Sequence, residues 1–185
     1  MFNNESDFSV EIAVDWQNND LLEHWLVHSR KRSGWLAVTN GCFDVLTPGH
    51  MHVLTYVRKC RALANRDIHL LVLLNSDDSV RRLKGPSRPL LPFDQRAATI
   101  ARIPGVDLVI GFDSDTPELA IEHINPDILI KGAEYQGAVV PGQNRVIQNG
   151  GLIVYAPRVP SWHSRDIAMH LDKRASKNRF LETPV

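Results

Sequence analysis

Residues Asn40 to Leu54, reading N-G-C-F-D-V-L-T-P-G-H-M-H-V-L, combine a glycine, a proline and a histidine at a spacing that suits phosphate binding. The apolar run Trp35 to Thr39 before them predicts a buried strand, and Met51, Val53, Leu54 and Val57 after them share one face of a helix. Gly41 permits the turn between the two. Pro48 falls near the first helical positions, where a missing N–H costs nothing. Such a joint aims unpaired backbone N–H groups and the positive end of a helix dipole at one spot, which favours an anion. His50, in the first helical turn, would stand at the same spot. Taken alone, a joint of this kind is more often a plain turn followed by a solvated histidine.

Three further polar segments change that balance. Asn75-Ser76-Asp77 follows the apolar run Ile68 to Leu74, Lys131-Gly132 follows Asp127 to Ile130, and Arg158 follows Leu152 to Tyr155. In open α/β sheets a ligand binds outside the carboxyl ends of the strands, where strand order reverses. Four polar segments at four strand ends therefore converge on one crevice.

The elements that must place them can be read along the chain. Val106 to Phe112 is a further strand, and helical spacing covers Ser79 to Leu83, Asp94 to Ile103, Thr116 to Ile124 and Gln143 to Asn149. Lys84 to Pro92, with Gly85, Pro86, Pro89 and Pro92, is a loop. Strands that are continuous apolar runs alternate with helices, as expected when both sheet faces are covered. The expected fold is α/β, a doubly wound, Rossmann-like five-stranded parallel sheet of order 3-2-1-4-5. Residues 1–34 form an N-terminal helical extension and residues 35–185 the domain proper. In the extension, Phe8, Val10, Ile12 and Val14 hint at a short strand or an extended arm. Asp20 then caps a helix whose Leu21, Leu22, Trp25 and Leu26 share a face, packed on the core or on a second subunit. Ser164 can cap a last helix carrying Ile167, His170 and Leu171.

Lysine plus arginine equals 21 and aspartate plus glutamate equals 21, so no global field draws nucleic acid or a membrane. Two cysteines, Cys42 and Cys60, are too few for a disulfide framework. No apolar stretch approaches the roughly 20 residues of a membrane span, and the N-terminus lacks a signal pattern. A soluble, cytoplasmic protein is expected.

The ordered series of segments resembles the cytidylyltransferase-like nucleotidyltransferases, and within them the adenylyltransferase domain of ADP-heptose synthase. Asn40-Gly41-Cys42-Phe43-Asp44 with Pro48-Gly49-His50 is similar to the family's first motif. Asn75-Ser76-Asp77, Leu83-Lys84-Gly85, Arg88-Pro89, Gln95-Arg96, Val106-Asp107, Pro126-Asp127, Lys131-Gly132, Tyr135 and Asn149-Gly150-Gly151 follow in order. The likeness runs from about Trp35 to Ile167. It implies transfer of a nucleoside monophosphate from a triphosphate, ATP favoured, to a sugar phosphate such as heptose 1-phosphate, with release of pyrophosphate. It implies Mg²⁺ bound mainly through nucleotide phosphates, no dedicated protein metal site, and a homodimer. A CTP-using enzyme acting on glycerol phosphate or another phospho-alcohol is the alternative within the class. His50, Thr47, Lys84, Arg96 and Arg158 are the implied catalytic donors. Gly41, Cys42, Phe43, Asp44, Gly49, Asn75, Asp77, Lys131, Gly132, His163 and Ser164 are the implied nucleotide contacts.

Two positions depart from the family pattern. The first histidine of its usual His-x-Gly-His is Thr47 here, a donor with less reach and no charge. Where the family shows Ser-Thr-Thr, this chain has His163-Ser164-Arg165-Asp166, whose cationic side chains would make up for the charge lost at Thr47. The reading from another class is a catalytically silent nucleotide-binding homologue.

Overall fold

The computed structural model describes residues 10–31, 34–64 and 67–158. In chain order the elements are β1 (Glu11–Ala13), α1 (Asp20–Lys31), β2 (Trp35–Gly41), α2 (Pro48–Ala64) and β3 (Ile68–Asn75). α3 (Asp77–Lys84), α4 (Phe93–Ala101), β4 (Leu108–Phe112), α5 (Glu118–Ile124) and β5 (Ile128–Gly132) follow. A 3₁₀ turn at Ala133–Tyr135, α6 (Gln143–Gln148) and β6 (Leu152–Ala156) complete the series. The helix expected after Ser164 lies outside the described residues.

All neighbouring strands pair in parallel, in the order β1-β4-β3-β2-β5-β6. The five expected strands keep the order expected of them. The correction is a sixth: the N-terminal segment is no purely helical extension, because Glu11, Ile12 and Ala13 pair with Leu108, Val109 and Ile110 at the edge of the sheet. Gly111 makes that approach possible, since a Cβ there would overlap the Val14 carbonyl. A glycine inside a strand often marks such a close backbone approach.

Strands β2 to β6 each feed two cores. Leu71 and Leu73 of β3 point to one face, where Leu22 and Leu26 of α1 pack with Ile121, Ile124 and Val146. Leu70, Val72 and Leu74 point to the other, against Leu54 and Val57 of α2 and Ala97 and Ile100 of α4. α1 therefore packs on the core. Its start differs from expectation, because Asn19 Oδ1 accepts the Leu22 N–H at 3.0 Å and Asp20 is the first helical residue. Two carboxylates pin the amino ends of the strands: Asp127 accepts the Leu36 N–H at 2.8 Å, and Asp107 accepts the Leu70 N–H at 2.7 Å and Arg61 at 2.6 Å. These bonds stand at the opposite edge of the sheet from the polar segments. No described helix is long and apolar enough to cross a membrane.

Candidate functional site

A cavity of about 680 Å³ opens where β2, β3 and β5 end. β2 lies between β3 and β5, so chain order reverses there, as the sheet rule requires. Of the residues expected on sequence, Gly41, Cys42, Phe43, Asp44, His50, Asn75, Lys84, Lys131 and Gly132 line it. Thr47, Gly49, Asp77, Arg96 and Arg158 do not. His163 and Ser164 lie outside the described residues.

The turn after β2 is held in an unusual shape. Phe43 has φ of 44°, a left-handed conformation uncommon for a bulky side chain. Its ring is buried, crosses the face where a Gly41 Cβ would stand, and meets the His50 ring edge-on at 5.4 Å between centroids. Thr47 then caps α2, with Oγ1 accepting the His50 N–H at 3.3 Å. The Thr47 N–H reaches His50 Nδ1 at 3.2 Å, and Val45 O stands 3.2 Å from the same nitrogen. Nδ1 is thus engaged with the backbone, and Nε2 is the nitrogen left for a ligand. Thr47, expected as a phosphate donor, uses its hydroxyl oxygen as an acceptor at the helix start, which leaves its O–H proton uncommitted.

Arg96 and Asp77 also take other work. The Arg96 guanidinium is buried, donating to Leu91 O at 3.0 Å, Cys42 O at 2.6 Å, Asn75 O at 2.9 Å and Asp77 Oδ1 at 2.7 Å. It joins the turn after β2 to the end of β3 and the first residue of α3, so it positions the cavity wall without entering the cavity. The cap of α3 is Ser76, whose Oγ accepts the Ser79 N–H at 3.0 Å. Arg158 is exposed and lies past the end of β6, the far edge strand. Gly49, in the first turn of α2, leaves its Cβ position in ordinary contact with Thr47 Oγ1 at 3.7 Å.

The cavity's electrostatics come from side chains in different states. Lys131 is buried, donates to Asn40 Oδ1 and stands 5.2 Å over the Tyr135 ring. Burial drives its pKa down to about 8, against the opposing pull of Glu134. Asp44 is also buried; burial would raise its pKa, but N–H bonds from Leu91 and Leu90 and the Arg88 pair outweigh that and hold it low. Burial pushes the Cys42 thiol up, against the pull of Lys84 and Arg96 and with help from Asp44, so it stays protonated near neutrality. Lys84 closes α3 and makes no ion pair among the described residues.

The structure adds Asn40, Arg88, Asp115, Glu134 and Tyr135 to the lining. The dipeptide Arg88-Pro89 and the polar continuation of Lys131-Gly132 into Glu134-Tyr135 were the signals for three of them. Asp115 had none, sitting in a loop after β4 where it accepts from Arg82 at 2.7 Å. Among the described residues no three His, Cys, Asp or Glu side chains group as metal ligands.

The cytidylyltransferase-like family profile matches residues 38–167. The chain is 42% identical over 133 residues to the bifunctional protein HldE of Nitrosococcus oceani, covering 72% of this chain and 27% of that one. It is 45% identical over 129 residues to HldE of Methylococcus capsulatus, covering 69% of this chain and 26% of that one. It thus spans about a quarter of the length of these curated relatives. A solved lipopolysaccharide core biosynthesis protein from Thermoplasma volcanium aligns at TM-score 0.48 and 24% identity, over 70% of this chain and 98% of that one.

Proposed function

The chain belongs to the cytidylyltransferase-like family, and from that premise we propose that it transfers a nucleoside monophosphate, from ATP by preference, to a sugar phosphate such as heptose 1-phosphate. The observation that carries the reading is the cavity at the reversal of strand order, with His50, Lys84, Arg88 and Lys131 on its wall. The choice of ATP and heptose rests on the likeness to HldE.

In this reaction an oxygen of the acceptor phosphate attacks the α-phosphorus and forms a P–O bond. The bond to the bridging oxygen of the β-phosphate breaks, and pyrophosphate leaves with that electron pair. No protein nucleophile takes part, which agrees with a protonated Cys42 thiol on the wall. Positioning and neutralisation of developing charge are what remains for the protein. His50 Nε2 stands beside the turn as a polar contact for phosphate oxygens, and Lys84 is an exposed cation on the same wall. Mg²⁺ carried on the triphosphate would spread its negative charge, and ions of this kind need few protein carboxylates. The cavity fits that mode: Asp44 and Asp115 are held by Arg88 and Arg82, and Glu134 is the lining carboxylate without a hydrogen bond among the described residues.

Pyrophosphate release tests the reading, with ATP, CTP, GTP and UTP crossed against heptose 1-phosphate, other sugar 1-phosphates and glycerol 3-phosphate. Release with ATP and a sugar 1-phosphate is expected. Release only with CTP and glycerol phosphate would move the substrate class. ATP binding without turnover on any acceptor would mark a silent homologue, in which the capping role of Thr47 has displaced a catalytic one.

A further inference from the structure

Arg88 lies in the loop between α3 and α4, and its side chain is 41% exposed where it lines the cavity. Nη1 donates to Asp44 Oδ2 at 2.6 Å, while Asp44 Oδ1 accepts the N–H groups of Leu90 at 2.6 Å and Leu91 at 3.0 Å. Asp44 therefore fixes one corner of the guanidinium through a carboxylate that is itself buried and bonded to the backbone. Nε and Nη2 of Arg88 have no partner among the described residues. The contrast with Arg96 is informative, because that guanidinium is fully buried and turned onto carbonyls. Arg88 is tethered by a single charged pair and keeps its fork open.

Its surroundings narrow what the fork would take. Phe43 meets the His50 ring and Asp44, next in chain, holds Arg88, so this one turn after β2 contacts both lining residues. The β5 side carries Lys131, the unbonded carboxylate of Glu134 and the Tyr135 ring, groups suited to hydroxyls and a base. Asp44, beside Arg88, offsets the field that would otherwise draw the most highly charged group to it. Lys84, a point cation with no ion pair among the described residues, suits the tail of a triphosphate better.

We propose that Arg88 grips the phosphate of the acceptor and sets the requirement for a phosphomonoester. Such a group has three terminal oxygens. One attacks the α-phosphorus, and two remain for parallel bonds from Nε and Nη2. The inference rests on the transfer reaction proposed above.

Steady-state kinetics and calorimetric titration of Arg88→Lys and Arg88→Ala, with ATP and heptose 1-phosphate varied separately, test it. Lysine keeps the charge and can still pair with Asp44, so it guards against an alanine variant that fails to fold. The KM for the sugar phosphate should rise about 10- to 100-fold in Arg88→Lys, with the KM for ATP unchanged. An equal rise in both constants would place Arg88 on the triphosphate and overturn the proposal, and so would no rise in either. Wild-type protein that binds ATP but no phosphorylated acceptor also overturns it, leaving nucleotide binding intact. Wild-type protein that binds no nucleotide overturns the transfer reaction along with it.

Discussion

Lys131 carries a charge that burial makes sensitive to pH a little above neutrality. Its pKa of about 8 lies below the ordinary 10.5, because burial penalises the ammonium. Between those two values the unfolded chain holds a proton that the folded chain has given up, so stability should rise with pH across that window. The slope is at most about 1.4 kcal/mol per pH unit. Chemical denaturation from pH 7.5 to 10.5 should show that rise in the wild type and a flatter profile in Lys131→Met. A bound triphosphate would draw the proton back onto the amine. Titrations near pH 8.5 in buffers of different ionisation enthalpy should then show proton uptake with ATP that disappears in Lys131→Met. Thr47 makes the opposite kind of prediction. Its hydroxyl caps α2, so Thr47→Ala should cost about 1 kcal/mol of stability while Thr47→Ser keeps it. A kcat that falls in Thr47→Ala with unchanged thermal stability would return the threonine to the phosphates.

Among the elements, the turn after β2, the end of β3 and the start of α3 are joined by one side chain, Arg96. Arg96→Met would leave the Asp77 carboxylate and the Cys42 and Asn75 carbonyls without their donor. Losing a hydrogen bond to a charged group costs about 1.5–3 kcal/mol, and denaturant unfolding should show it. ATP affinity should fall with the wall even though Arg96 does not line the cavity, and a variant of normal stability that lost only kcat would restore Arg96 to a direct contact. The residue also shows what a sequence can disclose. Its helix, the loop before it and the strand ends it joins were all legible from apolar runs and from glycine and proline positions. Where its guanidinium points depends on how the loop folds back, and no local pattern encodes that. The same holds for Asp44 and Arg88, far apart in sequence and bonded in space. β1 was faint for another reason: as a short edge strand it buries little on its outer side, so its apolar alternation is brief. Gly111 is its clearest mark, and Gly111→Ala, whose Cβ would overlap the Val14 carbonyl, should release β1 and remove its amide-exchange protection.

Across the whole molecule, the cavity depends on a sheet covered on both faces, and the N-terminal segment supplies part of one cover. Leu22 and Leu26 of α1 are buried against Leu36, Val38, Leu108 and Ile110. Polar contacts tie the helix to α5 as well: Glu23 meets His123 at 2.6 Å, and Arg30 donates to Ile124 O at 2.5 Å. A cover of this kind is part of the core, because its removal would open the faces of β2 and β4 to water. Each buried leucine replaced by alanine costs about 2–5 kcal/mol, and a whole domain holds only about 5–15 kcal/mol. Leu22→Ala with Leu26→Ala should therefore lower the midpoint of unfolding of the entire sheet in one transition, and ATP binding should be lost together with the secondary structure. A double variant in which only α1 melts, while residues from β2 onward unfold at the wild-type midpoint and still bind ATP, would show that the site stands without its N-terminal cover.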